Sequence, residues 1–395
     1  MSAHPRIAIV GAGPGGLALA RILRQGGIAA TVFEREPHAN WRPQGGTLDL
    51  HADSGQLALR RAGLEAGFLK IARYEDQGSR LYDKTGRLIF ADDDAAGRER
   101  PEVDRTALRA LLLAALPADA VRWGHGLQAV HANRDGTWDL SFEQGATGAG
   151  PFDLVVGADG AWSKVRPLVS RYEPQYSGLT FIEFGIDAVD THHPALAALV
   201  GRGKLGAEGD GRALIVQRNA DAHLRGYAIF RVPSDWAGRT FDFAAPAAAR
   251  ARLAAEFEGW APALLDLIRA SNDQIVSRPI HALPVGHHWP NRAGITLIGD
   301  AAHVMSPFGG EGVNAALLDA AELARHLLQA REAGQDWRAA VRHYEEAMFA
   351  RVLDIARASA EAAAIELSHL GPELSLETMR AHLREAGHAL PGAPI

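Results

Sequence analysis

The stretch Arg6-Ile7-Ala8-Ile9-Val10-Gly11-Ala12-Gly13-Pro14-Gly15-Gly16 decides how this chain is read. It opens on a short apolar run with β-branched residues, and the following Leu17-Ala18-Leu19-Ala20-Arg21-Ile22-Leu23 is helical in composition. The pattern is strand, glycine turn, helix. Gly11 permits the tight turn, Gly13 lets the backbone approach a pyrophosphate, and Gly16 lets the helix pack closely on the strand, with Pro14 and Gly15 in the same turn. A diphosphate would sit on the helix N-terminus, where unpaired N–H groups and the dipole favour negative charge. A second β-rich run, Thr31-Val32-Phe33, ends in Glu34 and Arg35, and Glu34 stands at about the spacing where an acidic residue accepts ribose hydroxyls. A carboxylate there repels a 2′-phosphate, so the turn is expected to hold FAD or NAD rather than NADP.

A late stretch separates those two. Ile295-Thr296-Leu297-Ile298 reads as a strand closed by Gly299-Asp300-Ala301-Ala302-His303, and Gly309, Gly310 and Gly312 then open an apolar-periodic helix from about Val313 to Leu328. A carboxylate at a strand end can take ribityl hydroxyls, and a glycine-rich helix start can hold the electron-rich edge of a flavin. A plain NAD dehydrogenase has no use for that second site. The two stretches together point to FAD.

The remaining composition fits an enzyme and excludes other classes. With 395 residues the chain has material for two domains, or one interrupted by another. A formal charge of −6 leaves no basic stripe for nucleic acid. The absence of cysteine excludes a disulfide scaffold, a thiolate metal site and a redox-active cysteine pair. The pairs His192-His193 and His287-His288 do not make a His-Glu-x-x-His pattern, so no metal is expected. No run approaches about eighteen apolar residues and the first strand follows five residues after the start, so a cytoplasmic protein without membrane contact is expected.

The expected fold class is α/β, a Rossmann-like FAD-binding domain with an inserted β-rich substrate domain and a long C-terminal helix. The FAD-binding domain is drawn from residues 1–70, 101–170 and 283–335, the substrate domain from 71–100 and 171–282, and a helical segment from 336–395. A hairpin is expected around Asp83-Lys84-Thr85-Gly86, a helix from Asp104 to Leu116, and an Ala-rich helical run from Ala244 to Arg269. Asp92-Asp93-Asp94 reads as a solvated loop.

These motifs resemble the single-component FAD-dependent aromatic hydroxylases of the para-hydroxybenzoate hydroxylase class across nearly the whole chain, and within it the tetracycline-inactivating monooxygenases. The resemblance is carried by Gly11 to Gly16 with Glu34, by Arg42-x-x-Gly45-Gly46-Thr47-Leu48-Asp49-Leu50-His51, by Arg105-x-x-Leu108-Arg109, by Asp159-Gly160, and by Gly299 to His303 continuing through Pro307-Phe308-Gly309-Gly310-Glu311-Gly312-Val313-Asn314. It implies that Arg105 and Asp300 contact the FAD, that Asp49 lies at the flavin with Gly46, that Arg42 meets a nicotinamide donor, and that Asp159 serves both cofactors. Gly310, Glu311, Gly312, Val313 and Asn314 are then the helix start at the flavin, and Pro307, Phe308 and Gly309 line its substrate side. Read from residue chemistry alone, Arg105 could equally form a surface ion pair with Glu102 or Asp104, Asp49 could cap its turn, and Phe308 could be core.

The resemblance implies insertion of one oxygen atom from O2 into an electron-rich aromatic or polycyclic, tetracycline-like substrate through a flavin C4a-hydroperoxide. NADPH or NADH is the expected donor, and no side chain is assigned as a catalytic residue because the flavin carries the chemistry. A monomer is expected. Two other readings stay open: a flavin oxidase or dehydrogenase releasing hydrogen peroxide, and a flavoprotein that sequesters a drug. Glu311 stands where the tetracycline-inactivating enzymes carry Gln. Its carboxylate is expected to favour the helix dipole from a solvent-exposed position, turned away from the isoalloxazine.

Overall fold

The computed structural model describes residues 4–42, 45–92, 99–365, 367 and 377. They form two compact units, one of Met1–Ala72, Arg105–Gln175 and His281–Ala362, the other of Arg73–Asp104, Tyr176–Ile280 and Ala363–Ile395.

In the first unit the elements that position the site are β1 (Ile7–Val10), α1 (Pro14–Gln25), β2 (Ala30–Phe33), β3 (Thr47–Asp49), α2 (Gly55–Arg61), α3 (Arg105–Ala114), β4 (Val121–Arg122), β5 (Leu154–Gly157), β6 (Ile295–Leu297), α4 (Asp300–His303), α5 (Gly312–Glu332) and α6 (Trp337–Ile365). A five-stranded sheet runs in the order β6-β5-β1-β2-β4, and its paired strands are parallel. Ile9 stands opposite both Val156 and Val32, and Val156 opposite Thr296. Every residue of β1, β5 and β6 is buried, which is why β1 and β5 read as unbroken apolar runs, while the buried Thr296 of β6 donates its hydroxyl to Glu345 Oε1 at 2.8 Å. The first glycine stretch therefore lies at the C-terminal end of β1, two strands from the end of β6 that carries Gly299 and Asp300. This juxtaposition unites motifs nearly three hundred residues apart in sequence.

α1 buries Leu17, Leu19 and Leu23 completely, each contributing about 1.5–3 kcal/mol relative to exposure. It also packs on α5, and small residues set the approach: a Cβ on Gly15 would lie 3.0 Å from the Ala316 carbonyl oxygen. An antiparallel sheet of residues 127–132, 138–142 and 149–152 completes this unit, an element the sequence reading did not anticipate. Residues 337–362 of α6 also belong to the first unit, whereas the sequence reading set 336–395 apart.

The second unit is built on a seven-stranded sheet ordered Val276–Ala282, Gln175–Ile186, Leu224–Arg231, Arg212–Arg218, Gly203–Gly209, Gly78–Asp83 and Leu88–Asp92. The expected hairpin turns at Asp83, whose Oδ1 accepts the Thr85 N–H at 2.9 Å. The expected helical run from Ala244 to Arg269 is instead two helices, Pro246–Glu256 and Pro262–Arg269. Gly259 between them takes a φ of +86°, which no helix continues through. Trp260 and Phe257 stack edge to face at 4.8 Å under that break, within an apolar core that includes Phe184 and Phe230. Asp92 ends its strand, while Asp93 and Asp94 of the expected acidic loop lie outside the described residues. No helix among the described residues is long and apolar enough to cross a membrane.

Candidate active site

The glycine turn divides its labour residue by residue. Gly11 holds a φ of +109°, and a Cβ there would stand 2.3 Å from the Ala158 carbonyl oxygen, so only glycine fits. A Cβ on Gly16 would meet the Gly11 carbonyl oxygen at 2.2 Å, which is the close helix-to-strand contact. Gly13 differs from both: a Cβ there would meet nothing within 4 Å. Gly13 is the N-cap of α1 and supplies no side-chain cap, so the first N–H groups of the helix face an open cradle.

Around this turn lies an ion-pair network. Glu34 is buried, and its Oε2 accepts the Ala12 N–H at 2.7 Å while Oε1 accepts the Glu36 N–H at 3.0 Å. The carboxylate thus ties the end of β2 to the glycine turn and keeps further lone pairs for hydroxyl donors. Glu36, which the sequence reading passed over, is equally buried and receives Arg109 Nη1 at 2.8 Å and Arg42 Nε at 2.7 Å. Arg109 in turn donates from Nε to the Ala12 carbonyl oxygen at 3.2 Å and lies over the Trp123 ring at 5.4 Å. Arg35 is exposed, and its charge helps hold Glu143 below the usual carboxylate range, behind the larger effect of Lys164.

The second stretch supplies the complementary part. Asp300 opens α4 with a solvent-accessible side chain. Dense protein around it nevertheless pushes its carboxyl above the ordinary value, against the opposing charges of His303, Arg105 and Arg166. Among the described residues no hydrogen bond reaches that carboxylate, an acceptor left for a ligand hydroxyl. Arg105 begins α3, its backbone N–H donating to the Gly46 carbonyl oxygen at 3.2 Å. Asp159 is turned into its own loop, accepting from Ser163 Oγ at 2.6 Å and the Lys164 N–H at 2.7 Å. Arg166 was also missed: it is 3 % exposed, donates to the Ala301 and Ala161 carbonyl oxygens, and carries its charge between Asp159 and Asp300.

At the start of α5, Asn314 is fully buried and stitches the helix to β3, its Oδ1 accepting the His51 N–H at 3.0 Å and its Nδ2 donating to the Asp49 carbonyl oxygen at 3.0 Å. Gly310 takes a φ of +67° with a Cβ position 3.1 Å from Asp49 Oδ1. Glu311 is the N-cap of α5, followed by Gly312 and a buried Val313. Its side chain is only 28 % exposed and faces His51 Nδ1 at 3.5 Å, so the expected solvent-exposed position is corrected. A histidine partner removes the cost of an unpaired buried carboxylate on which that expectation rested. Pro307, Phe308 and Gly309 form a single 3-10 turn in which Phe308 is half-buried rather than core.

Behind Asp300 a buried network fixes the turn. Asp319 on α5 is 0 % exposed and accepts His303 Nε2 at 2.6 Å, the Gly299 N–H at 2.9 Å and Arg351 Nη2 of α6 at 2.6 Å. Burial alone would depress His303, but the Asp319 charge outweighs it and the imidazole titrates above its ordinary value. Burial likewise pushes Asp319 up, and the His303 and Arg351 charges bring it below the usual range. The raised His303 stabilises the fold fully below its unfolded value of about 6.5 and loses that contribution as pH rises through the folded value. The lowered Asp319 contributes above about 3.9 and loses it as pH falls through its folded value. Asp319→Asn is therefore expected to cost about 3–5 kcal/mol in urea melts at pH near 6 and distinctly less at pH near 9. An equal cost at both values would show that the charge of His303 in the fold does not change between them.

The donor set suits FAD: an uncapped helix start at an open glycine for the diphosphate, an acidic residue at the end of β2 for the ribose, a partnerless carboxylate for the ribityl chain, and a second uncapped helix start in α5 for the flavin edge. The FAD binding domain family, through its model, matches residues 5–358. The chain belongs to this family.

A monooxygenase from Penicillium thymicola, penA, is 32 % identical over 367 residues, covering 82 % of this chain and 84 % of that one. The FAD-dependent urate hydroxylase of Klebsiella pneumoniae is 29 % identical over 358 residues, covering 88 % of this chain and 86 % of its own. The tetracycline destructase Tet(51) shares the fold at a TM-score of 0.71 and 21 % identity, over 99 % of this chain and 100 % of its own. This protein is accordingly an FAD-dependent flavin monooxygenase with the fold of that family.

Proposed function

We propose that this flavin monooxygenase inserts one oxygen atom of O2 into an electron-rich, planar aromatic or polycyclic substrate, with NADPH as electron donor. The observation that carries this reading is the pairing, on one parallel sheet, of a single open glycine cradle with the Asp300 carboxylate and the α5 start. Among the described residues this makes one dinucleotide site, and the nicotinamide donor is read as visiting rather than residing. When bound, FAD supplies the electron transfer and oxygen activation. The protein's own part is to hold it. Gly13 and the first turn of α1 receive the diphosphate, Glu34 the ribose, Arg105 and Asp300 the linking chain, and the α5 start, with Asp49 and Gly46 nearby, the flavin edge.

Pro307, Phe308 and Gly309 would present the substrate with an aromatic face and exclude water from the reacting carbon. Arg42, with 51 % of its side chain exposed and held by Glu36, would meet the donor's phosphates. The curated relatives' names include a urate hydroxylase and monooxygenases of 3-amino-4-hydroxybenzoate and 6-hydroxynicotinate, which supports an electron-rich planar aromatic substrate of one or more rings here.

NADPH consumption measured against tetracyclines, simple phenols and polyketide enols tests the reading. A true substrate should stimulate consumption severalfold while peroxide accounts for only a minor part of it. Peroxide equal to NADPH consumed would make the protein an oxidase, and no stimulation by any bound compound would make it a sequestering flavoprotein.

A further inference from the structure

The turn placed on the substrate side is anchored from behind by α6. Pro307, Phe308 and Gly309 form this 3-10 turn, which closes with the Gly310 N–H donating to the Pro307 carbonyl oxygen at 3.1 Å, and Ser306 is its N-cap. A serine at a helix start ordinarily accepts from the first free N–H groups of the turn it opens. Ser306 does not, and the turn has no side-chain cap. Its Oγ donates instead to the Ser359 carbonyl oxygen of α6 at 2.8 Å, and Ser359 Oγ donates to the Ser306 carbonyl oxygen at 2.7 Å, across 53 residues of chain. Each hydroxyl carries one proton, so this reciprocal pair uses both, and the 2.9 Å between the two hydroxyl oxygens adds no third bond to it. Both serines belong to the first unit and are buried.

We propose that Ser306 and Ser359 are positioning residues for oxygen transfer, setting the place of the Pro307–Gly309 turn at the substrate without a share in holding FAD. This rests on the reading of that turn as the substrate side. Pro307 confines Ser306 to extended backbone, here φ −66° and ψ 153°, so the position of Ser306 fixes where the turn begins and in which direction it leaves. The base it is pinned to is firm. Upstream on α6, Tyr344 Oη donates to the Leu297 carbonyl oxygen at 3.2 Å and Arg351 Nη2 pairs with Asp319 Oδ1 at 2.6 Å, and neither contact involves Ser359. Replacing either hydroxyl by hydrogen leaves a buried carbonyl oxygen without its donor, and the turn then moves toward another partner or admits water. Water beside the reacting carbon opens the uncoupled path, in which NADPH, a proton and O2 yield NADP and hydrogen peroxide and the substrate is left unchanged.

The test compares the FAD-loaded wild type with Ser306→Ala, Ser359→Ala and the double variant, using the compound that most stimulates NADPH consumption. Three quantities are read: the substrate KM, the peroxide released per NADPH, and FAD affinity by dialysis. Each single variant should raise KM about three- to tenfold, the effect of one buried hydrogen bond, and raise the peroxide fraction with it, while FAD affinity stays within about twofold. Because the two serines form one contact, the double variant should be no worse than the worse single variant. If one single variant does not fold, the other reads the same contact. Unchanged KM and peroxide fraction, effects that add in the double variant, or a loss of FAD affinity as large as the change in KM would each overturn the proposal. Phe308→Ala separates this failure from that of the reading beneath it. If Phe308→Ala changes KM and the peroxide fraction while the serine variants do not, only the positioning role falls; if it too changes neither, the turn does not lie on the substrate side.

Discussion

Asp300→Ala is expected to purify folded and nearly colourless, retaining FAD about ten- to a hundredfold more weakly than the wild type. The carboxylate is accessible and accepts no hydrogen bond among the described residues, so its removal breaks nothing in the protein itself. What is lost is a charge-assisted acceptor for ligand hydroxyls, worth about 1.5–3 kcal/mol. The fold should not suffer, because the turn is held from behind by the Gly299 N–H on Asp319. Equilibrium dialysis of FAD, with melting of the apoprotein as control, reads both effects. Unchanged affinity would remove Asp300 from the site.

Gly13→Ala should give the second large loss, and for a reason the neighbouring glycines sharpen. The Gly13 backbone sits at φ −77° and ψ 176°, which alanine adopts without strain, and its Cβ would meet no protein atom within 4 Å. Lower entropy in the unfolded chain gains about 0.4–1 kcal/mol, and the poorer N-cap costs a similar amount. The apoprotein should therefore melt as the wild type does. FAD binding should fall by about tenfold or more, because the methyl group occupies the cradle where the diphosphate meets the α1 N–H groups. Gly11→Ala is the contrasting case, expected to destabilise the fold outright, with a Cβ 2.3 Å from the Ala158 carbonyl oxygen. If Gly13→Ala keeps full affinity, the diphosphate does not lie on this turn.

What the sequence disclosed and what it concealed follow from the range of the forces involved. Gly11, Gly13 and Gly16 were legible because each answers a local geometric demand within one strand–turn–helix unit. The place of Asp300, after an apolar strand and at the start of a helix, was legible from the same local pattern. Glu36 and Arg166 were not singled out, and Arg109 entered only through the Arg105-x-x-Leu108-Arg109 motif, since nothing in their spacing says that two arginines should be nine-tenths or more buried. Their burial is bought by partners from distant segments, Arg109 reaching Ala12 and Glu36 across seventy or more residues. The orientation of Glu311 was misread for the same reason: its partner, His51, is brought to it only by tertiary structure. In the second unit, the break at Gly259 was hidden by an alanine-rich run whose helical composition outweighed one glycine.

The central claim is that this flavin monooxygenase transfers oxygen from O2 to an organic substrate. The most direct measurement is a mass spectrum of the product formed, with NADPH, under dioxygen enriched in the heavy oxygen isotope, using whichever compound stimulates NADPH consumption most. The account predicts a product heavier than the substrate by one heavy oxygen atom. A product carrying only light oxygen from water, or substrate recovered unchanged beside an equivalent of labelled peroxide, would contradict it.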